Sequence, residues 1–156
     1  KEHPEAQELR SHMSAAVVSR LVNGFLENVP GVVGVNNHQG SQSTADPKLM
    51  AELMPVLRER KLFYIDSRTS AATVAYETAQ RLGVRAGFRN VPFLDDVEEV
   101  AAVRKQIETA IAGAARKNEA IAIGHAHRST LEALKETLPQ AKAQGVKLVF
   151  ASGLGK

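Results

Sequence analysis

Imidazole, carboxylate and guanidinium side chains lie at the ends of several short apolar segments of this chain. The residues in question are His38, Asp66, Arg68 and His125. Imidazoles and carboxylates bind divalent metals and transfer protons near neutral pH, so these positions are candidate ligands and acid–base groups. The alternatives are a turn histidine bonded to backbone for His38, a neutral core histidine for His125, and a simple pair of Asp66 with Arg68.

Five short apolar segments, bounded by turn residues or charges, predict the strands that would position these side chains. They cover residues 32–37, 62–67, 85–90, 120–125 and 147–152. Amphipathic helical patterns fill the gaps, and strands recur about every 30 residues, as in βαβ units. Since the strands lack strict alternation, we expect a parallel sheet that is covered on both faces. Active sites of such folds lie where strands end.

Capping and stop residues predict where the helices begin and end. Ser14 and Asp46 are the expected N-caps of the first two long helices. Ser129 and Glu132 predict a capping box at the start of the last helix. Pro139 is expected to break or kink that helix, because proline lacks the backbone N–H that the helical ladder needs.

Other ionisable residues have a structural explanation beside a functional one. Asp95 and Asp96 are either the N-cap and first-turn residues of a helix or members of a site. His127 lies just before a predicted helix and is expected to be exposed. The same holds for His3 and His12 in the polar N-terminal stretch.

Composition excludes several broad classes of protein. The 156 residues fit one domain, and 44% hydrophobic with 24% charged residues is an ordinary globular balance. A net charge of +3 and 4% aromatic residues argue against nucleic-acid binding. The chain has no cysteine, which excludes disulfides and thiolate metal sites. It has no apolar run of about 18 residues, so no membrane span is predicted. The phosphate-binding loops, the GxSxG elbow and HExxH are also absent.

Four ordered motifs resemble those of the divergent polysaccharide deacetylase family. Residues 30–41 read PGVVGVNNHQGS and are similar to the family signature P-G-x-x-G-V-N-N-H-x-G-S. Residues 63–70, 89–95 and 120–125 resemble its F-x-D-S-R-T, R-D-V-F-L-D and A-I-A-I-G-H segments. Order and spacing agree from about residue 14 to the C-terminus. We therefore predict a single domain over residues 1–156, with 1–13 as a polar stretch and 14–156 matched to the family.

The resemblance implies an α/β fold with a parallel-stranded, distorted (β/α) barrel, incomplete at its N-terminus. It also implies a zinc-dependent hydrolase of acetylated sugars, located in the periplasm or outside the cell. In standard members the metal polarises the acetamide carbonyl and activates water. By position in the motifs, the resemblance assigns metal binding to His38 and His125, catalysis to His125, Asp66 and Arg68, and substrate binding to Asn37, Ser41 and Asp95. These residues are expected to line one cleft.

The sequence departs from the family pattern at three places. The opening strand with its paired Asp would lie upstream of Lys1, and we expect this chain to be a piece of a longer protein. Gln42 stands where standard members carry a second metal-binding His. Asn90 replaces an Asp, and Pro92 interrupts the motif. The missing strand would leave a free sheet edge that favours self-association.

Three functions follow from this comparison. The first is a metal-dependent carbohydrate deacetylase whose activity in this piece depends on the missing strand. The second is a non-catalytic module that binds a glycan or a cell-envelope partner, which the substitutions Gln42 and Asn90 favour. The third is an unrelated α/β enzyme, such as a phosphoesterase, which the four ordered motifs make improbable.

Overall fold

A computed structural model describes residues 8–154 of the chain. These residues form two compact units, a first unit of residues 8–88 and a second unit of Arg89–Leu154. The predictions for the first seven residues, including an exposed His3, lie outside the described residues. Among the described helices, none is long and apolar enough to cross a bilayer.

The first unit carries a parallel sheet of three short strands in the order β1-β2-β3. Gly34 pairs with Phe63, and Tyr64 pairs with Ala86. The elements of this unit are α1 (Ala15–Glu27), β1 (Gly34–Asn36), α2 (Ser41–Thr44), α3 (Pro47–Glu59), β2 (Phe63–Asp66), α4 (Ala75–Arg81) and β3 (Ala86–Phe88). The α/β class and the parallel sheet are thus confirmed, with an open sheet in the described residues.

One hydrophobic core holds these elements together. The apolar stripes of α1 and α3 supply most of its fully buried side chains, and Tyr64 of β2 joins them. The two predicted N-caps are confirmed. Ser14 accepts a hydrogen bond from the Val17 amide at 3.4 Å, and the Asp46 carboxylate accepts from the Lys48 and Leu49 amides at 2.9 and 3.1 Å.

The second unit is built on two long helices, α5 (Val100–Lys117) and α6 (Arg128–Ala143), and ends in a 3-10 helix (Ala151–Gly153). Its smaller core lies between the helices, where Val103 and Ile107 of α5 meet Ala133 of α6. Leu94 is buried in the same cluster. Asp95, the residue after Leu94, therefore lies beside α6, where it accepts a hydrogen bond from Thr130.

Two predicted strands are wrong for the described residues. Residues 120–123 run beside 90–94, but only Asn90 and Leu94 donate backbone hydrogen bonds across, to Ile121 and Ile123. Pro92 lies between these donors and has no N–H, which prevents a continuous ladder. Residues 147–152 are not a strand either, since Phe150 is 88% exposed and the segment enters the 3-10 helix.

Several predictions for the two helices of the second unit are also wrong. The helix begins at Arg128 with His127 in the N-cap position and no side-chain cap, so the capping box is wrong. Glu132 instead accepts a hydrogen bond from Arg128 at 2.8 Å. The helix continues through Pro139, so the predicted break is wrong, whereas a kink at Pro139 stays a prediction. Asp95 and Asp96 are not helix caps, because α5 begins at Val100, after the N-cap residue Glu99.

Candidate functional site

In the first unit, the loops after β1 and β2 are joined by a hydrogen-bond network around Asn37. Its side-chain oxygen accepts from the Tyr64 hydroxyl at 3.0 Å and from the Ser67 amide at 2.8 Å. Its backbone carbonyl accepts from the Ser67 hydroxyl at 2.6 Å. Burial, and secondarily the charge of Asp66, raises the pKa of Tyr64. Tyr64 therefore stays a neutral hydrogen-bond donor.

Asp66, at the end of β2, is completely buried, and its carboxylate holds the loop that follows. One oxygen accepts from the Arg68 amide at 2.8 Å. The other accepts from the Thr73 hydroxyl at 2.9 Å and from the Tyr76 amide at 3.3 Å. These contacts fix the start of α4 against the end of β2.

The remaining predicted site residues of the first unit are on its surface. His38 is exposed in the bend after β1. The Arg68 guanidinium lies over the Phe88 ring, 3.6 Å from its centroid, and Arg68 has a left-handed backbone with φ of 47°. Ser41 donates to the Thr69 hydroxyl at 3.1 Å, which ties the loop after β1 to the loop after β2.

In the second unit, a buried carboxylate holds a histidine ring. The side chain of Asp95 has no exposed area, and its Oδ1 lies 2.9 Å from Nδ1 of His125. Its Oδ2 accepts from the His125 amide and, at 2.8 Å, from the Thr130 hydroxyl. The ring and the backbone of His125 are therefore fixed by one acid. In the Nδ1-protonated tautomer, the opposite nitrogen, Nε2, carries the lone pair of the ring.

The environment of Asp95 keeps it ionised. Burial by itself raises the pKa of the Asp95 carboxyl. Hydrogen bonds from the His125 amide, the His125 ring and the Thr130 hydroxyl outweigh burial and hold that pKa below its ordinary value. A carboxyl whose pKa is lowered by folding stabilises the fold above its unfolded pKa, about 3.9. That stabilisation is lost as the pH falls through the lowered pKa.

His127 lies next to the Asp95–His125 pair, a position that the sequence motifs do not predict. Asp95, His125 and His127 can each offer one ligand atom within 4.8 Å of the others. The rings of His125 and His127 are 5.6 Å apart, and Nδ1 of His127 lies 3.4 Å from a carboxylate oxygen of Glu98. The signal was present in the sequence, because residues two apart in extended chain point to the same side.

Phe93 contacts the His125 ring, and Asn90 contacts the segment that precedes His125. The Phe93 ring stacks on the His125 ring at 6.1 Å, and the Arg89 guanidinium lies 3.9 Å from the Phe93 centroid. The Asn90 side-chain oxygen accepts from the Ile121 amide at 2.9 Å. The residue that replaces the family's Asp therefore fastens the segment that leads to His125.

The chain belongs to the divergent polysaccharide deacetylase family, whose sequence profile matches residues 1–154. Its relatives include an uncharacterized protein of Haemophilus influenzae, 45% identical over 126 residues, which cover 81% of this chain and 45% of that protein. The uncharacterized protein YibQ of Escherichia coli is 37% identical over 154 residues, covering 99% of this chain and 48% of YibQ. The chain thus spans about half the length of these relatives.

The fold also matches a solved structure. The crystal structure of uncharacterized protein ATU2773 from Agrobacterium tumefaciens C58 matches this chain with a TM-score of 0.92. The match covers 97% of this chain and 61% of that chain at 22% identity. At this identity the likeness establishes the fold alone.

Proposed function

We propose that this chain is the metal-binding part of a carbohydrate deacetylase, and that Asp95, His125 and His127 form the centre of its chemistry. The observation that carries the proposal is the Asp95–His125 pair, with His127 beside it, in a member of a deacetylase family. A buried carboxylate that orients an imidazole is the arrangement found both behind metal-ligating histidines and behind acid–base histidines.

The donor set fits a divalent metal. Asp95, His125 and His127 would hold it, and one carboxylate with two imidazoles is a ligand set of the number and type that catalytic zinc sites use. Zinc is the metal that we propose, on the strength of these nitrogen and oxygen donors and of the family. A bound metal of this kind polarises a carbonyl oxygen and lowers the pKa of a bound water.

The residues of the chain would supply orientation and proton transfer. Without metal, Asp95 holds the His125 ring through Nδ1, so that Nε2 faces away from the carboxylate; as a ligand, Asp95 would exchange that contact for the metal. The ligand and acid roles of His125 exclude one another, because both use Nε2; as the acid, in place of a ligand, its imidazolium would deliver a proton from Nε2 to the leaving amine when the acetamide C–N bond breaks. The Phe93 ring stacks beside the imidazole, and the Arg89 guanidinium lies over the Phe93 ring.

The residues of the first unit keep the roles that the family resemblance gives them. His38 stays the predicted ligand of that unit, and Asp66 and Arg68 stay predicted catalytic residues. Asn37 and Ser41 stay predicted substrate-binding residues, whereas for Asp95 of the second unit, predicted to bind substrate, we propose the metal site instead. Their observed contacts favour a structural role beside the predicted one. Asn37, Ser41 and Asp66 all form hydrogen bonds that hold the loops after β1 and β2. The cleft predicted to join these residues with His125 likewise stays a prediction.

The whole protein's properties are part of the same proposal. We expect an acetylated carbohydrate as substrate, a periplasmic or extracellular location, and a distorted barrel completed by sequence outside this chain. Association through a free edge of the sheet stays a prediction as well. Each of these rests on family membership.

The proposal is tested on the full-length protein with acetylated chitooligosaccharides. We expect zinc-dependent release of acetate, and its loss in His125→Gln. Thr137→Val is the matched control, since Thr137 lies in the same unit and its hydroxyl bonds the Ala133 carbonyl, away from Asp95. Absence of acetate release together with absence of zinc binding would overturn the proposal.

A specific observation favours a second function, a glycan-binding module without catalysis. Gln42 occupies the position of the family's second metal histidine, and the Asn90 side chain is bonded to the backbone of Ile121. Neither residue ionises. This function predicts that the full-length protein retains the same chitooligosaccharide on an affinity matrix, releases no acetate with zinc present, and binds equally well as His125→Gln.

A further inference from the structure

Thr130, in α6, forms a hydrogen bond to Asp95, the acid that contacts the His125 ring. Its hydroxyl donates to Asp95 Oδ2 at 2.8 Å, and both residues are 4% exposed. Thr130 belongs to the first turn of α6, whose N-cap residue is His127. The hydroxyl therefore joins the acid to the helix that begins beside both histidines.

Gly124 shows how tightly this contact is built. A Cβ on Gly124 would lie 3.1 Å from the Thr130 methyl carbon Cγ2 and 3.2 Å from Asp95 Oδ2. It would also lie 3.3 Å from Cβ of Leu94. The backbone at Gly124 thus lies close to the Thr130–Asp95 contact, and an added side chain would require its neighbours to shift by a few tenths of an ångström. This close approach lets the His125 amide reach the same oxygen that Thr130 bonds.

We infer that Thr130 is the positioning residue of the Asp95–His125 pair: its hydroxyl, with the His125 amide, anchors Oδ2 so that Oδ1 faces His125 Nδ1. Two donors on Oδ2 fix the rotation of the carboxylate, and this rotation selects the tautomer of the imidazole with hydrogen on Nδ1. The consequence for metal binding rests on the proposed function, whereas the consequence for the tautomer does not.

The test compares Thr130→Val, Thr130→Ser and Thr137→Val in the full chain. Valine keeps the shape of threonine and removes the hydroxyl, and serine keeps the hydroxyl. Thr137 is the matched control, because it lies in α6, is also 4% exposed and donates to the Ala133 carbonyl. The first readout is the nitrogen-15 spectrum of the His125 ring without metal, at a pH where imidazole is neutral. The second is zinc affinity by calorimetry.

We expect Thr130→Val to convert His125 from the Nδ1-protonated form to a mixture of tautomers. Zinc affinity should fall about tenfold, as for other residues that orient a ligand. Thr130→Ser should restore both readouts, and Thr137→Val should leave both unchanged while lowering the melting temperature comparably. A ring spectrum of Thr130→Val equal to that of Thr137→Val would overturn the inference. A shifted tautomer in a protein that binds no zinc would support the inference and contradict the proposed metal site.

Discussion

Asp66 in the first unit and Asp95 in the second are both buried carboxylates, but their partners differ. Asp66 is bonded by two backbone amides and one hydroxyl, all from the loop and helix that follow β2. Asp95 is bonded by one amide, one hydroxyl and an imidazole nitrogen. The Asp66 carboxylate stabilises the conformation of a loop. The Asp95 carboxylate also stabilises a loop, and in addition it orients the His125 imidazole, a group that can bind metal or transfer a proton.

This difference shows that a buried acid after a strand is not by itself evidence of catalysis. Both acids belong to motifs that resemble the same family, and both have their oxygens occupied. The type of partner separates them, because only an imidazole gains a defined tautomer from the contact. Each unit thus contains a buried carboxylate with a similar number of hydrogen bonds, but only the carboxylate of the second unit contacts an imidazole.

The largest expected effects come from removing the two acids. Asp66→Ala and Asp95→Ala should each lower the free energy of unfolding by about 3 kcal/mol, because each leaves buried donors without an acceptor. Only Asp95→Ala should also lower zinc affinity, by roughly 10–100-fold. Urea unfolding and zinc calorimetry measure the two effects. An equal loss of zinc affinity in Asp66→Ala would show that the acids do not have separate roles.

Two glycine substitutions should have effects of opposite sign. Gly124→Ala should cost about 2 kcal/mol and weaken zinc binding, because its Cβ meets Thr130, Asp95 and Leu94. Gly24→Ala in α1 should stabilise the first unit by roughly 0.5–1 kcal/mol, because nothing lies within 4 Å of its added Cβ and alanine favours the helix. Thermal unfolding measures both. Destabilisation by Gly24→Ala, or tolerance of Gly124→Ala, would contradict the packing described.

The smallest effect is expected at Asn90. Asn90→Ala should cost about 1 kcal/mol, since it removes the acceptor for the Ile121 amide. The change is expected to leave zinc affinity within about twofold, because the Asp95–His125 pair keeps its own bonds. Hydrogen exchange should show faster exchange of the Ile121 amide, and an unchanged exchange rate there would contradict the role assigned to Asn90.

Much of the first unit was predictable from the sequence. Its three strands and long helices follow from apolar periodicity, and Ser14 and Asp46 mark helix starts by a local hydrogen bond that needs no tertiary context. The family motifs, too, pointed to His125 and to Asp95. What these signals share is that they depend on neighbouring residues in the chain.

The errors in the second unit have a common physical cause. An apolar run such as 147–152 predicts a strand only if a partner strand and a covering layer exist, and sequence periodicity reports neither. Asp95 resembles a helix cap in the sequence because an acidic pair precedes the apolar pattern of α5, but α5 begins only at Val100. The sequence predicts an exposed His127 because the residue precedes a helix, but in the structure His127 lies close to Asp95 and His125.

The proposed metal site depends most directly on whether His127 is one of its ligands. Zinc titrations of the full chain should be compared for the unchanged protein, His127→Gln and the control His12→Gln, an exposed histidine of the first unit. We expect His127→Gln to weaken zinc binding at least about tenfold, since it removes one of three ligands, and His12→Gln to bind as the unchanged protein does. Equal zinc affinity in all three proteins would contradict the site proposed for Asp95, His125 and His127.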